Sequence, residues 1–175
     1  MSLTTASLSD GPDAEPSRST ARTSPCGRYR YSLTRQWGAD PARRAVWIML
    51  NPSTADATVD DPTVRRCLGF SRAWGCDSLE VVNLFALRAT DPRELRTAVD
   101  PVGPENDGAL RDAVDRGDLV VAAWGAHGVL HGRAAAVRAV FGPEVRCLGV
   151  TKAGMPRHPL YVRSGTPLTA FGGRP

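Results

Sequence analysis

The sequence predicts an α/β domain whose central sheet is mostly parallel. Short and almost wholly apolar runs recur along the chain, as is typical of strands buried on both faces of a parallel sheet. Segments with helical periodicity lie between these runs, and polar loops rich in proline and glycine separate the two. The chain has 175 residues, which is enough for one domain with a hydrophobic core.

The N-terminal segment, residues 1–25, is rich in Ser, Thr, Ala and Pro and is typical of a disordered leader. A single α/β domain is then expected over residues 26–175. The leader lacks the apolar stretch of a secretory signal, and no apolar run reaches the roughly 20 residues that a membrane helix needs. We therefore expect a cytoplasmic protein that has no membrane partner.

The first elements of the domain follow from their residue patterns. RYRYSLTRQW, residues 28–37, alternates in character and predicts an N-terminal edge strand. AVWIML, residues 45–50, is continuously apolar and predicts the first buried strand. A helix is expected soon after, because Asp60 or Asp61 can serve as its N-cap and Pro62 suits the first helical position.

The remaining elements continue the alternation. Further buried strands are predicted over residues 78–87, 118–125 and 144–150, and helices over residues 107–117 and 127–142. In such sheets, ligands bind beyond the carboxyl ends of the strands, where the loops that follow the strands meet.

Four loops follow the predicted buried strands, and they begin at Asn51, Asn83, Trp124 and Thr151. The last of them contains GMPRHPLYV, which includes His158. Because all four loops follow parallel strands, we expect them to converge on one edge of the sheet and to bring His158 beside the two asparagines.

The first of these loops reads LNPSTAD. Asn51 can offer an amide oxygen and an amide NH₂ to a ligand or a water, and Pro52 makes the turn rigid. Ser53, Thr54 and Asp56 add two hydroxyls and a carboxylate. An alternative interpretation is a polar turn that is held by its own side-chain hydrogen bonds.

The next two strand ends carry an amide and two aromatic rings. The side chain of Asn83 can recognise a planar edge with one donor and one acceptor, as nucleobases present, and Phe85 could supply a stacking face. Trp124 is interpreted as a pocket wall or a core residue. For Asn83 the alternative is a structural amide bonded to loop backbone.

The last loop holds His158 between two prolines, with Arg157 beside it. A neutral imidazole N–H at a fixed place can stabilise an anion that develops on a leaving group. Arg157 could fix a phosphate. The alternative is an ordinary histidine in a surface loop.

Neither a metal nor another cofactor is expected. The four cysteines form no C-x-x-C pair, and His127 and His131, four residues apart, have no third ligand in the sequence. There is no P-loop, no G-x-G-x-x-G and no G-x-S-x-G. The formal net charge of +4 is compatible with a phosphate-bearing partner without establishing one.

The motifs together are similar to those of a bacterial family known as domain of unknown function 1643. The similarity covers about residues 28–165 and rests on MLNPSTAD, NLFALRATDP, PEND and RHPLYV. The strand ends also resemble the uracil-DNA glycosylase superfamily, which has Asn-Pro or Asp-Pro, a base-reading asparagine, Trp-Gly and His-Pro in this order. That resemblance implies a three-layer sandwich around a four-stranded parallel sheet, with an added N-terminal edge strand.

The glycosylase resemblance implies a DNA-repair hydrolase that flips a nucleobase out of DNA and cleaves its N-glycosidic bond. Asn51 would position the attacking water, Asn83 would read the base edge, and His158 would stabilise the departing base anion. The resemblance thus implies DNA as the partner, with a nucleobase or nucleotide in the pocket.

Two further roles follow from the same resemblance. Phe85 would lie under the base, and Leu160 or Met155 would occupy the place of the wedge that enters the base stack. Asn51 replaces the aspartate of the strongest glycosylases and cannot serve as a general base. Two alternatives therefore stay open: a module that binds nucleic acid or a damaged base with little or no catalysis, and a hydrolase of free nucleosides or nucleotides.

Overall fold

The computed structural model describes residues 16–38, 42–141 and 144–172 of the chain. These residues form seven strands: β1 (Arg18–Thr23), β2 (Arg30–Gln36), β3 (Arg44–Met49), β4 (Ser78–Asn83), β5 (Leu119–Ala122), β6 (Arg146–Cys147) and β7 (Thr169–Ala170). They also form the helices α1 (Pro62–Ala73), α2 (Glu94–Thr97), α3 (Asn106–Arg116) and α4 (Arg133–Val140), with 3₁₀ segments at Ala126–Gly132 and Pro159–Tyr161. Among the described residues, no helix is both long enough and apolar enough to cross a membrane.

The strands make one sheet in the order β1-β2-β4-β3-β5-β6-β7. The neighbours β4, β3, β5 and β6 are parallel, whereas β1, β2 and β7 pair antiparallel. The predicted α/β class is confirmed. The predicted sheet, four mostly parallel strands with one added edge strand, is too small. The observed sheet has seven strands and is mixed, because half of its strand pairings are antiparallel.

Strand β1 lies inside the segment that the sequence assigned to the leader. It pairs with β2 across a tight turn in which Gly27 has a φ of 70°. A tight reversal of this kind can join only antiparallel strands, which explains the added edge of the sheet. The folded part therefore begins before residue 26, and residues 1–15 of the predicted leader lie outside the described residues.

Two apolar layers cover the faces of the sheet. Helix α1 packs on one face, where Trp47 of β3 stacks on Trp74 with ring centroids 5.4 Å apart and donates its indole N–H to Ser71 Oγ at 2.9 Å. Helices α2, α3 and α4 pack on the other face. Residues 45–50 are all buried, which confirms the prediction of a strand buried on both faces.

The helix boundaries have local causes. Asp61, one of the two predicted N-cap residues, caps α1 by accepting a hydrogen bond from the Val64 N–H at 2.8 Å. Pro62 occupies the first helical position, as predicted. The helix predicted over residues 127–142 begins only at Arg133, because His131 and Gly132 adopt positive φ angles of 53° and 66° that break the helix.

Candidate ligand-binding pocket

A cavity of about 530 Å³ opens at the carboxyl ends of the parallel strands. Its lining comes from β2, from the ends of β3 and β4, from the loops after β3, β4, β5 and β6, and from the start of α1. Six of the predicted site residues line it: Asn51, Ser53, Asn83, Trp124, Arg157 and His158. The expected convergence of the strand-end loops is confirmed, even though more than a hundred positions separate Asn51 from His158.

Five predicted site residues are not brought into the lining: Pro52, Thr54, Asp56, Phe85 and Leu160. The carboxylate of Asp56 closes its own turn, because Oδ1 accepts hydrogen bonds from the backbone N–H groups of Thr58 and Val59, both at 2.8 Å. This turn is the alternative that the sequence left open for the loop.

Phe85 is the clearest correction to the predicted site. Its ring is fully buried in the core layer of α2, α3 and α4, with an edge-on contact to His131 at 6.0 Å between ring centroids. The chain leaves the regular strand at Asn83, so the two-residue alternation that would place Phe85 beside Asn83 does not continue. Phe85 therefore supports the core and does not provide the predicted stacking face.

Asn51 has a fixed side chain. Its Nδ2 donates to the carbonyl oxygens of Pro52 at 2.9 Å and of Ala89 at 2.8 Å. Because both amide protons are used in this way, the atom that the side chain can offer to a ligand or a water is the acceptor Oδ1.

Asn83 is the predicted site residue whose side chain is most completely unpaired. It is 0% exposed, and neither Oδ1 nor Nδ2 has a hydrogen-bond partner among the described residues. Burying an unpaired polar group costs about 1–3 kcal/mol, so such groups are uncommon in folded proteins. Trp124, which also lines the cavity, has a buried indole Nε1 without a partner, whereas the unpartnered hydroxyls of Tyr31 and Ser78 belong to residues outside the lining.

The neighbours of Asn83 fix its backbone but do not pair its side chain. Asn106, also buried, donates its Nδ2 to the backbone carbonyl oxygens of Asn83 at 2.9 Å and Leu84 at 3.1 Å. The backbone at the end of β4 is therefore held firmly while the carboxamide of Asn83 stays unpaired. This arrangement favours a ligand-reading amide over the structural amide of the alternative interpretation.

His158 is half-buried and has a defined tautomer. Its Nδ1 accepts a hydrogen bond from the Leu160 N–H at 3.4 Å, so the ring proton of the neutral form is on Nε2. Burial lowers the pKa of His158, and the charge of Asp61 opposes that shift only in part. The imidazole is therefore neutral at pH 7 and can act as an N–H donor.

The histidine loop is attached to its neighbours at two places. The Gly125 N–H donates to the carbonyl oxygen of Pro156 at 2.9 Å. This bond joins the loop after β5, which contains Trp124 and Gly125, to the histidine loop, which is the loop after β6 that contains His158. On the other side, Arg66 of α1 donates to the carbonyl oxygens of Pro159 at 3.3 Å and Val162 at 2.5 Å. These contacts give the imidazole the fixed place that its flanking prolines predict.

The residues after His158 form an exposed apolar surface beside the cavity. Leu160 is 43% exposed and Tyr161 is 82% exposed, and Tyr161 also lines the cavity. Met155, the other wedge candidate, is partly buried against the core. Of the two predicted wedge positions, Leu160 is the one on the surface.

Sequence reasoning missed a buried arginine of the cavity wall. Arg30 of β2 lines the cavity although it is only 3% exposed, and burial lowers the pKa of its guanidinium to about 10. Its segment reads RYRYSLTRQ, in which Arg28, Arg30 and Arg35 look alike. No sequence signal separates the cavity-facing arginine from the other two.

The histidine pair does not form a metal site. His127 lines the cavity, whereas the Nε2 of His131 contacts the Leu95 carbonyl oxygen at 2.9 Å. Within the part of the chain that the structure describes, no three His, Cys, Asp or Glu side chains cluster as metal ligands. The cysteines are free thiols, one exposed and three buried.

Comparison with known proteins identifies one family. The family model described as "Protein of unknown function (DUF1643)" matches residues 30–160, about three quarters of the chain. No curated protein and no solved structure matches the chain. The predicted similarity to this family is confirmed, while the resemblance to the uracil-DNA glycosylase superfamily stays a prediction.

Proposed function

The chain belongs to the DUF1643 family, and from its own pocket we propose that it hydrolyses an N-glycosidic bond in DNA and releases a nucleobase. One observation carries the proposal: a fully buried carboxamide without a partner, Asn83, lines the same cavity as the neutral imidazole of His158. A carboxamide offers one donor and one acceptor in a plane, which matches the edge of a nucleobase.

His158 supplies the electrostatic part of the reaction. When the bond between C1′ and the base nitrogen breaks, its electron pair leaves with the base as an anion. The Nε2–H of His158 donates a hydrogen bond to that anion, and a neutral donor is available because burial lowers the pKa of the ring. Loss of one such donor costs on the order of 3 kcal/mol of transition-state stabilisation.

Asn51 has the geometry to orient the water. Its Nδ2 is held by two backbone carbonyls, so its Oδ1 can accept a hydrogen bond from a water that attacks C1′. An amide cannot remove the proton of that water, so the bond from C1′ to the base breaks before the water adds to C1′, and the proton that the water then loses passes to the departed base anion.

The mouth of the cavity suits a flipped nucleotide in a DNA strand. Leu160 and Tyr161 offer exposed apolar surface that can fill the gap left in the base stack, and Arg157 can contact a phosphate. Flipping a base costs a few kcal/mol, which contacts inside the pocket have to offset.

A binding module without catalysis is the second candidate, and the residue type at position 51 favours it. Asn51 has an amide where a carboxylate could act as a general base. Such a module would bind DNA that contains an altered base or an abasic site and would release nothing.

The test is a panel of oligonucleotides that carry uracil, hypoxanthine, alkylated bases or mismatches, assayed for abasic sites beside the corresponding free nucleosides. We expect base release from at least one oligonucleotide, and loss of release in His158→Ala and Asn51→Ala with the fold intact. His131→Ala is the matched control, because His131 lies outside the cavity lining. Binding of an oligonucleotide without release of a base would support the binding module. Release of base from nucleosides alone would indicate that the substrate is a free nucleoside.

A further inference from the structure

Strand β2 carries two buried arginines whose side chains differ in their partners. Arg35, 1% exposed, is fully engaged, because its Nε and Nη2 contact Asp60 Oδ1 at 2.8 Å and 2.7 Å. Its Nη1 donates to the Thr34 carbonyl oxygen at 3.0 Å, and Nη2 also donates to that of Asp56 at 2.6 Å. This arginine is a structural cation that is neutralised and hydrogen-bonded inside the protein.

Arg30 has almost none of these contacts. Among the described residues, its one hydrogen bond runs from Nη1 to the Ala55 carbonyl oxygen at 2.5 Å, and its Nε is buried without a partner. No carboxylate of the described residues lies within 4.0 Å of its guanidinium. Buried charges in proteins are normally paired, because an unpaired charge loses its hydration without compensation.

The charged groups around Arg30 do not remove this deficit. Asp61 and Asp56 attract its charge from beyond ion-pair distance, while Arg88 and Arg35 repel it. The Asp61 carboxylate is already engaged in capping α1, and that of Asp56 closes its own turn. Among the described residues, the cation of Arg30 therefore has no carboxylate at ion-pair distance.

The place of Arg30 in the cavity indicates what could supply the missing charge. It lines the cavity together with Asn83 and Trp124, and each of these three residues carries a buried N–H donor without a partner: Nε of Arg30, Nδ2 of Asn83 and Nε1 of Trp124. Of the arginine and acidic side chains in the lining, Arg30 and Arg157 are cationic and Asp61 alone is anionic. A negatively charged oxygen group placed against Arg30 would satisfy its donors and neutralise its charge together.

We propose that Arg30 is a ligand-binding residue of this pocket and that the pocket takes a ligand with an anionic oxygen group, a carboxylate or a phosphate. This proposal rests on the proposed function, because it concerns the same pocket, and it adds that the ligand is negatively charged. The group could be an acidic substituent on the base or the 5′-phosphate of a nucleotide. A neutral carbonyl could accept a hydrogen bond from Arg30, but it would leave the buried cation without a counter-ion.

Calorimetric titration with two matched pairs of probes tests the proposal and separates the two sources. Uridine 5′-monophosphate against uridine tests the phosphate, and orotate, which is uracil with a carboxylate, against uracil tests the base substituent. We expect the anionic member of at least one pair to bind about tenfold more tightly or better than its neutral partner. Equal binding within both pairs would overturn the proposal.

Variants assign that preference to Arg30. Arg30→Met should abolish the preference for the anion, and Arg30→Lys should retain part of it. If the preference persists in Arg30→Met and disappears in Arg157→Met, the anion is bound at the mouth and the proposal is wrong. Arg35→Met is the matched control for a buried arginine of the same strand, and it should keep the anionic preference where it remains folded.

Unfolding without ligand provides a readout that does not require the correct probe. We expect Arg30→Met to unfold at the same or a higher temperature than the wild type, because it removes an unpaired buried charge. We expect Arg35→Met to unfold at a lower temperature, because it leaves Asp60 without its partner. A large loss of stability in Arg30→Met would show that Arg30 is structural and would overturn the proposal.

These results separate the inference from the proposed reaction. An anionic preference that depends on Arg30, with no base released from any oligonucleotide, would retain the inference and reject the hydrolysis. Base release by the wild type with no anionic preference in either pair would reject the inference and retain the hydrolysis.

Discussion

Two buried polar side chains of strand β4, Glu80 and Asn83, differ in their hydrogen-bond and ion-pair partners. Towards the amino end, Glu80 is 4% exposed, and its Oε1 contacts Arg116 Nη2 at 3.2 Å while its Oε2 lies 3.8 Å from Arg44 Nη1. At the carboxyl end, Asn83 is buried to the same degree and its side chain has no partner. The difference separates polar groups that the fold uses for its own stability from those that it keeps available to a ligand.

This comparison predicts a division of mutational effects. Changes at the carboxyl end of the parallel strands should alter base release and binding with little effect on stability. Changes at the amino end should alter stability and leave the chemistry of the folded protein unchanged. Four experiments test that division, and the first has the largest expected effect.

Replacing the imidazole should have the largest effect on activity. We expect His158→Ala to lower the rate of base release by a factor of about 10² or more, which corresponds to loss of one preorganised donor worth about 3 kcal/mol. Single-turnover kinetics on the preferred oligonucleotide measure the effect, and urea unfolding measures stability in parallel. A variant that releases base at the wild-type rate would remove His158 from the mechanism.

Removing the carboxylate at the amino end should affect stability instead. Glu80→Ala leaves Arg116 and Arg44 without their shared partner, and we expect the free energy of unfolding to fall by roughly 1–3 kcal/mol. The decrease should lie near the lower end of that range, because half of the Arg116 side chain is exposed to solvent. Loss of base release from the folded variant, with stability unchanged, would break the comparison.

The unpaired carboxamide allows a sharper test. We expect Asn83→Leu to abolish base release while the free energy of unfolding stays unchanged or rises by about 1 kcal/mol, because an unsatisfied buried amide is replaced by an apolar group of similar size. Asn106→Leu is the control, since it removes two hydrogen bonds to backbone carbonyls and should destabilise the protein. A strong loss of stability in Asn83→Leu would assign Asn83 a structural role.

Acidification should produce the smallest effect. Burial lowers the pKa of His158 below its usual 6.5, so between these two values the unfolded chain binds a proton that the folded protein does not. Protonation of His158 in the unfolded chain therefore lowers the free energy of unfolding as the pH falls below 6.5, and this effect is absent at higher pH. Urea unfolding at pH 7.5 and pH 5.5 should show a smaller decline in His158→Gln than in the wild type, and an equal decline would contradict the burial argument.

Sequence reasoning located the strand ends because the physical signals there are strong. The apolar run before Asn51 is typical of a buried strand, and a polar loop directly after such a strand lies at the edge of the sheet. The same logic placed Asn83, Trp124 and His158, which do line the cavity. It failed for Phe85, because the regular strand ends at Asn83 and the alternation of side chains ends with it.

The added strands and the buried arginine were not visible in the sequence. β1 reads RSTART and is mostly exposed, so it carries no apolar alternation, and β7 is only two residues long. Arg30 sits among other arginines, and its burial depends on the loop around Ala55 that covers it from elsewhere in the chain. Properties that arise from contacts between distant segments leave no periodic pattern in the residues themselves.

The guanidinium of Arg66 has a mechanical consequence. By donating to the carbonyl oxygens of Pro159, in the short 3₁₀ turn, and of Val162, directly after it, Arg66 attaches the histidine loop to α1. A substitution on the solvent side of α1 that tilts the helix would carry the imidazole with it. The position of the His158 ring is thereby tied to the position of α1.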